Sequence, residues 1–148
     1  MNRREGNVKT SARNQFQGAI AAITKGAVNS EVTLKAAGGA EIVSIITNES
    51  VERLGLAVGK PAYALIKATW IVIGKNLDQA KLSTRNVLCG TVETVHDGAV
   101  NAEIILKLSG GETITAILTE TSAHALGLAA GEPACAAFKA SHVILAVD

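Results

Sequence analysis

Shifted by 72 residues against itself, the chain matches without a gap. Residues 11–74 align on 83–146 with 27 identities in 64 positions. A duplication of this kind constrains the fold more than any other feature of the sequence. Each half must be a unit of about 65 residues, near the size where a lone core is marginal, and it must gain stability by packing on its copy or on other chains. The identities also go beyond what a core demands. Ser11, Arg13 and Asn14 recur as Ser83, Arg85 and Asn86; Thr47 and Ser50 recur as Thr119 and Ser122; Lys67 recurs as Lys139. This set combines hydroxyl, guanidinium, amide and ammonium groups and contains no carboxylate, which suits a small anion.

Each half follows one script. A first extended run, Asn14–Thr24 or Asn86–His96, ends at a turn with Gly26 or Gly98. A second, Val28–Ala36 or Val100–Leu108, reaches a Gly38-Gly39 or Gly110-Gly111 hairpin, where glycine provides the positive φ of a tight turn. A third run covers 41–46 or 113–118. These bounded, β-branched runs read as strands. One short helix follows at 47–55 and 119–127, with polar capping candidates at its start and glycine at its end. A last strand is expected over Ala62–Ile73. The division is a tail at 1–10, module 1 at 11–75, a linker at 76–82 and module 2 at 83–148. The fold class is all-β: two tandem OB-like small barrels, each with one short helix.

Hydrophobic residues make up 48% of the chain, yet its only aromatics are Phe16, Tyr63, Trp70 and Phe138. Such a composition suits small barrels and tight subunit contacts better than an aromatic cleft. The net charge of +1 provides no global field for nucleic acid or an anionic membrane, so an anion site has to be local. No apolar run approaches the roughly 20 residues of a membrane span. The first ten residues are polar and basic, unlike a secretory signal, and the expected compartment is the cytoplasm. Cys89 and Cys135 lie far apart without a CxxC pattern, opposite Gln17 and Tyr63 in the first copy. Two buried free thiols are expected, in preference to a disulfide or a metal site.

The donor set falls at element boundaries. Ser11 and Arg13 precede a strand, Thr47 and Ser50 open a helix whose first N–H groups lack intrahelical partners, and Lys67 lies on the last strand before the small Ala68. A fully ionised oxyanion has no proton to give, and charge-assisted donors satisfy it. Taken singly, each Ser or Thr reads as a turn or cap and each Arg or Lys as a solvated charge. Retention of the whole set through the duplication favours a binding role. The repeated Gly-Ala-Val-Asn at 26–29 and 98–101 reads first as a turn, with a second anion contact at Val28, Asn29, Val100 and Asn101 or an intersubunit contact as the alternatives.

Ser-Ala-Arg-Asn-Gln-Phe-Gln-Gly at 11–18, Gly-Ala-Val-Asn at 26–29, Thr-Asn-Glu-Ser at 47–50, Leu-Gly-Leu at 54–56 and Lys-Ala-Thr-Trp at 67–70 resemble the Mop module. This is the molybdate-binding molbindin family, related to the TOBE domain, and the tandem arrangement is similar to its cytoplasmic di-Mop members. The resemblance implies an OB-like fold, homotrimers, and oxyanion sites between modules or subunits. The ligand it implies is molybdate, with tungstate as a second candidate. Its contacts would be Ser11, Arg13, Thr47, Ser50, Lys67 and Ala68, and in the second copy Ser83, Arg85, Thr119, Ser122, Lys139 and Ala140. There Ala12 becomes Thr84, Phe16 becomes Leu88 and Trp70 becomes His142. His142 could add a donor, but like His96 and His124 it reads first as a surface or satisfied imidazole.

Neither catalysis nor a metal site is expected, because no nucleophile with a base and no metal-ligand cluster recurs in both copies. The resemblance implies reversible molybdate storage. One alternative is a sensor module acting through a protein partner. A nucleic-acid-binding OB protein fits less well, lacking stacking aromatics and a basic groove.

Overall fold

The computed structural model describes residues 8–148. Most of the expected tail, with Arg3 and Arg4, lies outside the described residues. The first half runs β1 (Asn14–Lys25), β2 (Asn29–Ala36), β3 (Glu41–Thr47), α1 (Asn48–Leu54) and β4 (Pro61–Ile66), then a 3₁₀ turn at Ala68–Trp70 and β5 (Val72–Gly74). After a second 3₁₀ turn at Leu77–Gln79, the other half repeats the order. It comprises β6 (Asn86–Asp97), β7 (Asn101–Leu108), β8 (Thr113–Thr119), α2 (Glu120–Ala125), β9 (Pro133–Phe138), a 3₁₀ turn at Ala140–His142 and β10 (Ile144–Ala146). In β2 the alternate residues Val32, Leu34 and Ala36 point inward, the period of a strand with one face on the core. The long strands β1 and β6 shift register at equivalent places, between Ile20 and Ala22 and between Val92 and Thr94. Such irregularities bend a strand and increase its twist, which lets one strand serve two neighbours in a closed-up sheet.

The strand expected over Ala62–Ile73 is broken. β4 ends before Lys67, and the chain turns through Ala68–Trp70, with the Trp70 N–H donating to the Lys67 carbonyl at 3.0 Å. Neither glycine nor proline marks this break, so the apolar run reads as continuous. Beyond the turn the two halves exchange strands. The sheet orders are β10-β4-β1-β2-β3 and β5-β9-β6-β7-β8, so each half completes the other's sheet. Residues 62–66 of β4 are buried on both faces, and the exchanged strand covers an edge that would otherwise lie open.

The exchange is reinforced by two buried amides. Asn14 donates through Nδ2 to the carbonyls of Thr115 (2.8 Å) and Ile66 (3.2 Å), and its Oδ1 accepts from the Thr115 N–H at 2.7 Å. Asn86 does the same for Val43, accepting from its N–H at 2.7 Å and donating to its carbonyl at 2.8 Å. Each side chain thus acts as one residue of extra strand along the outer edge of β8 or β3. The core is continuous across both halves, with Phe16, Ile20, Ile66, Ile104, Leu106 and Phe138 among its fully buried members.

The glycine pairs of the hairpins divide their work. Gly39 (φ 99°) and Gly111 (φ 90°) adopt the positive φ expected of the pair. Gly38 and Gly110 do not; there the hairpins of the two halves abut, and a Cβ on Gly110 would collide with the Gly38 carbonyl.

The cysteines form a disulfide rather than two free thiols. The cause is register: Cys89 on β6 lies directly opposite Cys135 on β9, with Cα atoms 4.0 Å apart. Their counterparts Gln17 and Tyr63 face each other in the same way across β1 and β4.

Candidate functional site

Within each half the structure sorts the candidate contacts into two groups. The first forms because the entrance of β1 runs beside the exit of β4, where Asn14 pairs with Ile66. Ser11 and Arg13 are thereby neighbours of Lys67 and Ala68. Asn86 paired with Phe138 does the same for Ser83, Arg85, Lys139 and Ala140. Lys67 and Lys139 are exposed on extended backbone at the mouth of their 3₁₀ turns, while Ala68 and Ala140 are buried beneath. The Lys67 ammonium lies 5.1 Å from the Trp70 ring centre, and Trp70 packs against His142 with ring centres 4.9 Å apart. The two Lys-Ala segments therefore meet around an approximate twofold relation between the halves. His142 is not the surface or satisfied imidazole of the sequence reading: it is half-buried against Trp70, and its Nδ1 is buried without a hydrogen-bond partner.

The second group gathers at the helix starts. Thr47 caps α1, its hydroxyl accepting from the Ser50 N–H at 3.1 Å and donating to the Ser50 hydroxyl at 2.8 Å. Thr119 and Ser122 repeat both distances on α2. The Gly-Ala-Val-Asn turns lie against these starts: the Asn48 N–H donates to the Val28 carbonyl (2.8 Å) and the Glu120 N–H to the Val100 carbonyl (2.9 Å). Asn29 and Asn101 pair with Thr47 and Thr119. Val28 and Val100 are left 69% and 74% exposed. An open depression here is lined by Ala99, Val100, Thr119, Glu120, Thr121 and His124. Among the described residues, no hydrogen bond or salt bridge joins this group to the Arg and Lys group.

The donor set is not free of carboxylates once the halves are together. Glu31 recurs as Glu103 and faces the arginine of the opposite half. Arg13 Nη2 donates to Glu103 Oε2 at 2.7 Å, and Arg85 forms a fork to Glu31 at 2.6 and 2.9 Å. The hydrogen bond to Glu31, then its charge, raises the Arg85 guanidinium above its usual range, so it stays a cation. Both guanidinium side chains remain about half exposed (50% and 52%), so an incoming anion can reach them. A signal for these pairs was in the repeat itself, since an acid kept beside a kept base at one spacing is a candidate cross-pair.

A polar cleft where the Gly38 and Gly110 hairpins meet is lined by Gln15, Gln17, Glu112 and Thr113, and holds none of the candidate contacts. Its carboxylate, Glu112, already accepts from the Gly38 N–H at 2.9 Å and would repel an anion.

Fold and site together define a tandem small-barrel binding module with cationic donors at its strand ends. The TOBE domain model matches residues 10–73 and 82–145, and the chain belongs to that family. The chain is 46% identical over 140 residues to the molybdenum-pterin-binding protein MopA of Rhodobacter capsulatus, covering 95% of this chain and 53% of that protein. It is 44% identical over 141 residues to the molybdenum transport protein ModE of Azotobacter vinelandii, covering 95% and 52%. The chain thus spans about half the length of these curated relatives. It also superposes on a structure of the cytoplasmic molybdate-binding protein ModG with molybdate bound, with a TM-score of 0.91, 45% identity, and coverage of 95% of this chain and all of that one.

Proposed function

We propose that this chain binds molybdate reversibly and serves as a cytoplasmic molybdenum store. One observation carries the reading: in both halves the Ser-x-Arg-Asn entrance of one strand lies beside the Lys-Ala exit of its neighbour. That geometry recurs in a fold almost superposable on a relative holding molybdate. Arg13 and Lys67 supply charge, Ser11 supplies a hydroxyl, and the small, buried Ala68 follows Lys67 at the start of the 3₁₀ turn. Ser83, Arg85, Lys139 and Ala140 repeat the arrangement.

Thr47, Ser50, Thr119 and Ser122, with Val28, Asn29, Val100 and Asn101, belong to a surface that completes sites across subunits of a homotrimer. The exposed apolar side chains Val28, Val58, Val72, Val100 and Ile144 support such an assembly. Tungstate, a tetrahedral dianion of nearly equal size, binds in the same shell; sulfate is smaller, and its bonds to a fixed shell are longer and weaker. Calorimetric titration with molybdate, tungstate and sulfate tests the reading. It requires heat from the first two only, and a loss of sites in Lys67→Ala and Lys139→Ala.

A second reading has one observation in its favour. The chain is 34% identical to the DNA-binding transcriptional dual regulator ModE of Escherichia coli (strain K12), of which it covers 53%. A module of this kind acts as a sensor when joined to, or bound by, an effector protein. A molybdate-dependent change in the binding of such a partner would favour sensing over storage.

A further inference from the structure

We propose that the second half carries a site for a borderline divalent cation of the zinc class, formed by Asp97, Glu120 and His124. Asp97 ends β6, and Glu120 and His124 lie one helical turn apart on α2, so the fold brings a strand end and a helix face to one point. One ligand atom from each residue falls within 4.8 Å of the other two. The His124 Nε2 and Glu120 Oε1 atoms are 3.3 Å apart. Bonds of about 2.0–2.2 Å in tetrahedral geometry hold two donors at roughly 3.4 Å, so this pair already has the spacing a cation needs. Asp97 and His124 are exposed, and an Asp97 carboxylate oxygen lies within 4.8 Å of the ligand atoms of the other two.

Electrostatics supply an independent reason for a cation. Two carboxylates converge here, and among the described residues neither forms a salt bridge to a lysine or arginine. Imidazole with two carboxylates is the donor mixture that zinc-class ions accept, leaving a fourth position for water. The first half contains its own control, because Lys25, Asn48 and Glu52 occupy the equivalent positions. With lysine and asparagine in place of Asp97 and Glu120 and no histidine, the first half lacks this donor set. Such a site would tie the end of β6 to α2, and it owes nothing to the oxyanion reading.

The test is titration of the tag-free full chain with Zn²⁺ by calorimetry, and with Co²⁺ by visible absorption. The expected result is one ion per chain for the parent protein and for His96→Ala. Binding should be weakened about tenfold or more in His124→Ala and in Asp97→Lys, with circular dichroism unchanged. Absence of Zn²⁺ and Co²⁺ binding by the parent, or undiminished binding in both site variants, would overturn the proposal.

Discussion

Replacing Asn14 by alanine is expected to destabilise the whole chain, although the residue directly follows the candidate contact Arg13. Asn14 is 3% exposed and makes three hydrogen bonds, at 2.7, 2.8 and 3.2 Å, two of them to the outer edge of β8. Each bond contributes about 1 kcal/mol, and the Thr115 N–H left in a dry place costs about 1–3 kcal/mol more. The expected loss is about 4–6 kcal/mol, or roughly 13–19 °C in midpoint for a chain of this length. Asn14→Asp should be at least as damaging, because a carboxylate oxygen would then face the Thr115 and Ile66 carbonyls in place of a donor. Urea unfolding followed by circular dichroism measures the loss, and Asn86→Ala should show a similar one. A loss below about 1 kcal/mol in Asn14→Ala would refute the idea that these amides clamp the two halves.

Opening the Cys89–Cys135 disulfide, which spans 46 residues, should lower stability by up to about 4 kcal/mol on the chain-entropy account. Thermal unfolding with and without reductant reads this directly, and no change would remove the staple from the account. Glu103→Gln removes the carboxylate that competes for Arg13 and should tighten molybdate binding about two- to five-fold at low salt. Weaker binding in calorimetry would mean that Glu103 orients the arginine instead. Tyr63 is the sole tyrosine, and its phenol is raised above 10 by burial, then by its hydrogen bond to Asp148 (2.9 Å) and that carboxylate's charge. Its contribution to stability is present below the unfolded value and is lost as pH rises through the folded one. Ultraviolet titration should show a late phenolate transition that moves down in Asp148→Asn, and an ordinary transition in the parent would contradict the contact.

Local features were legible in the sequence because their causes are local. Bounded, β-branched runs marked β2 and β7, and Thr47 and Gly55 marked the ends of α1. What stayed hidden depends on register between distant segments. The chain from Ile66 to Val72 carries no breaker, so the turn that redirects β5 into the other sheet looks like uninterrupted strand. Cys89 and Cys135 meet only because β6 and β9 pair at that register. Glu31 and Glu103 were visible as repeated acids, but their partners lie 54 and 90 residues away. The recurring amides of Asn14 and Asn86 look like ligand donors in the sequence. Their bonds in the fold go to backbone instead, so part of the repeated polar set is kept by the interlock of the halves.

The most direct test is a crystal of the chain grown with molybdate, with molybdenum located by anomalous difference density at its absorption edge. Peaks are expected beside Arg13, Lys67 and Ala68 and beside Arg85, Lys139 and Ala140, with hydroxyls from the helix starts of a neighbouring subunit completing the shell. Peaks confined to the Gly38–Gly110 cleft, or no molybdenum at the Lys-Ala segments, would contradict it.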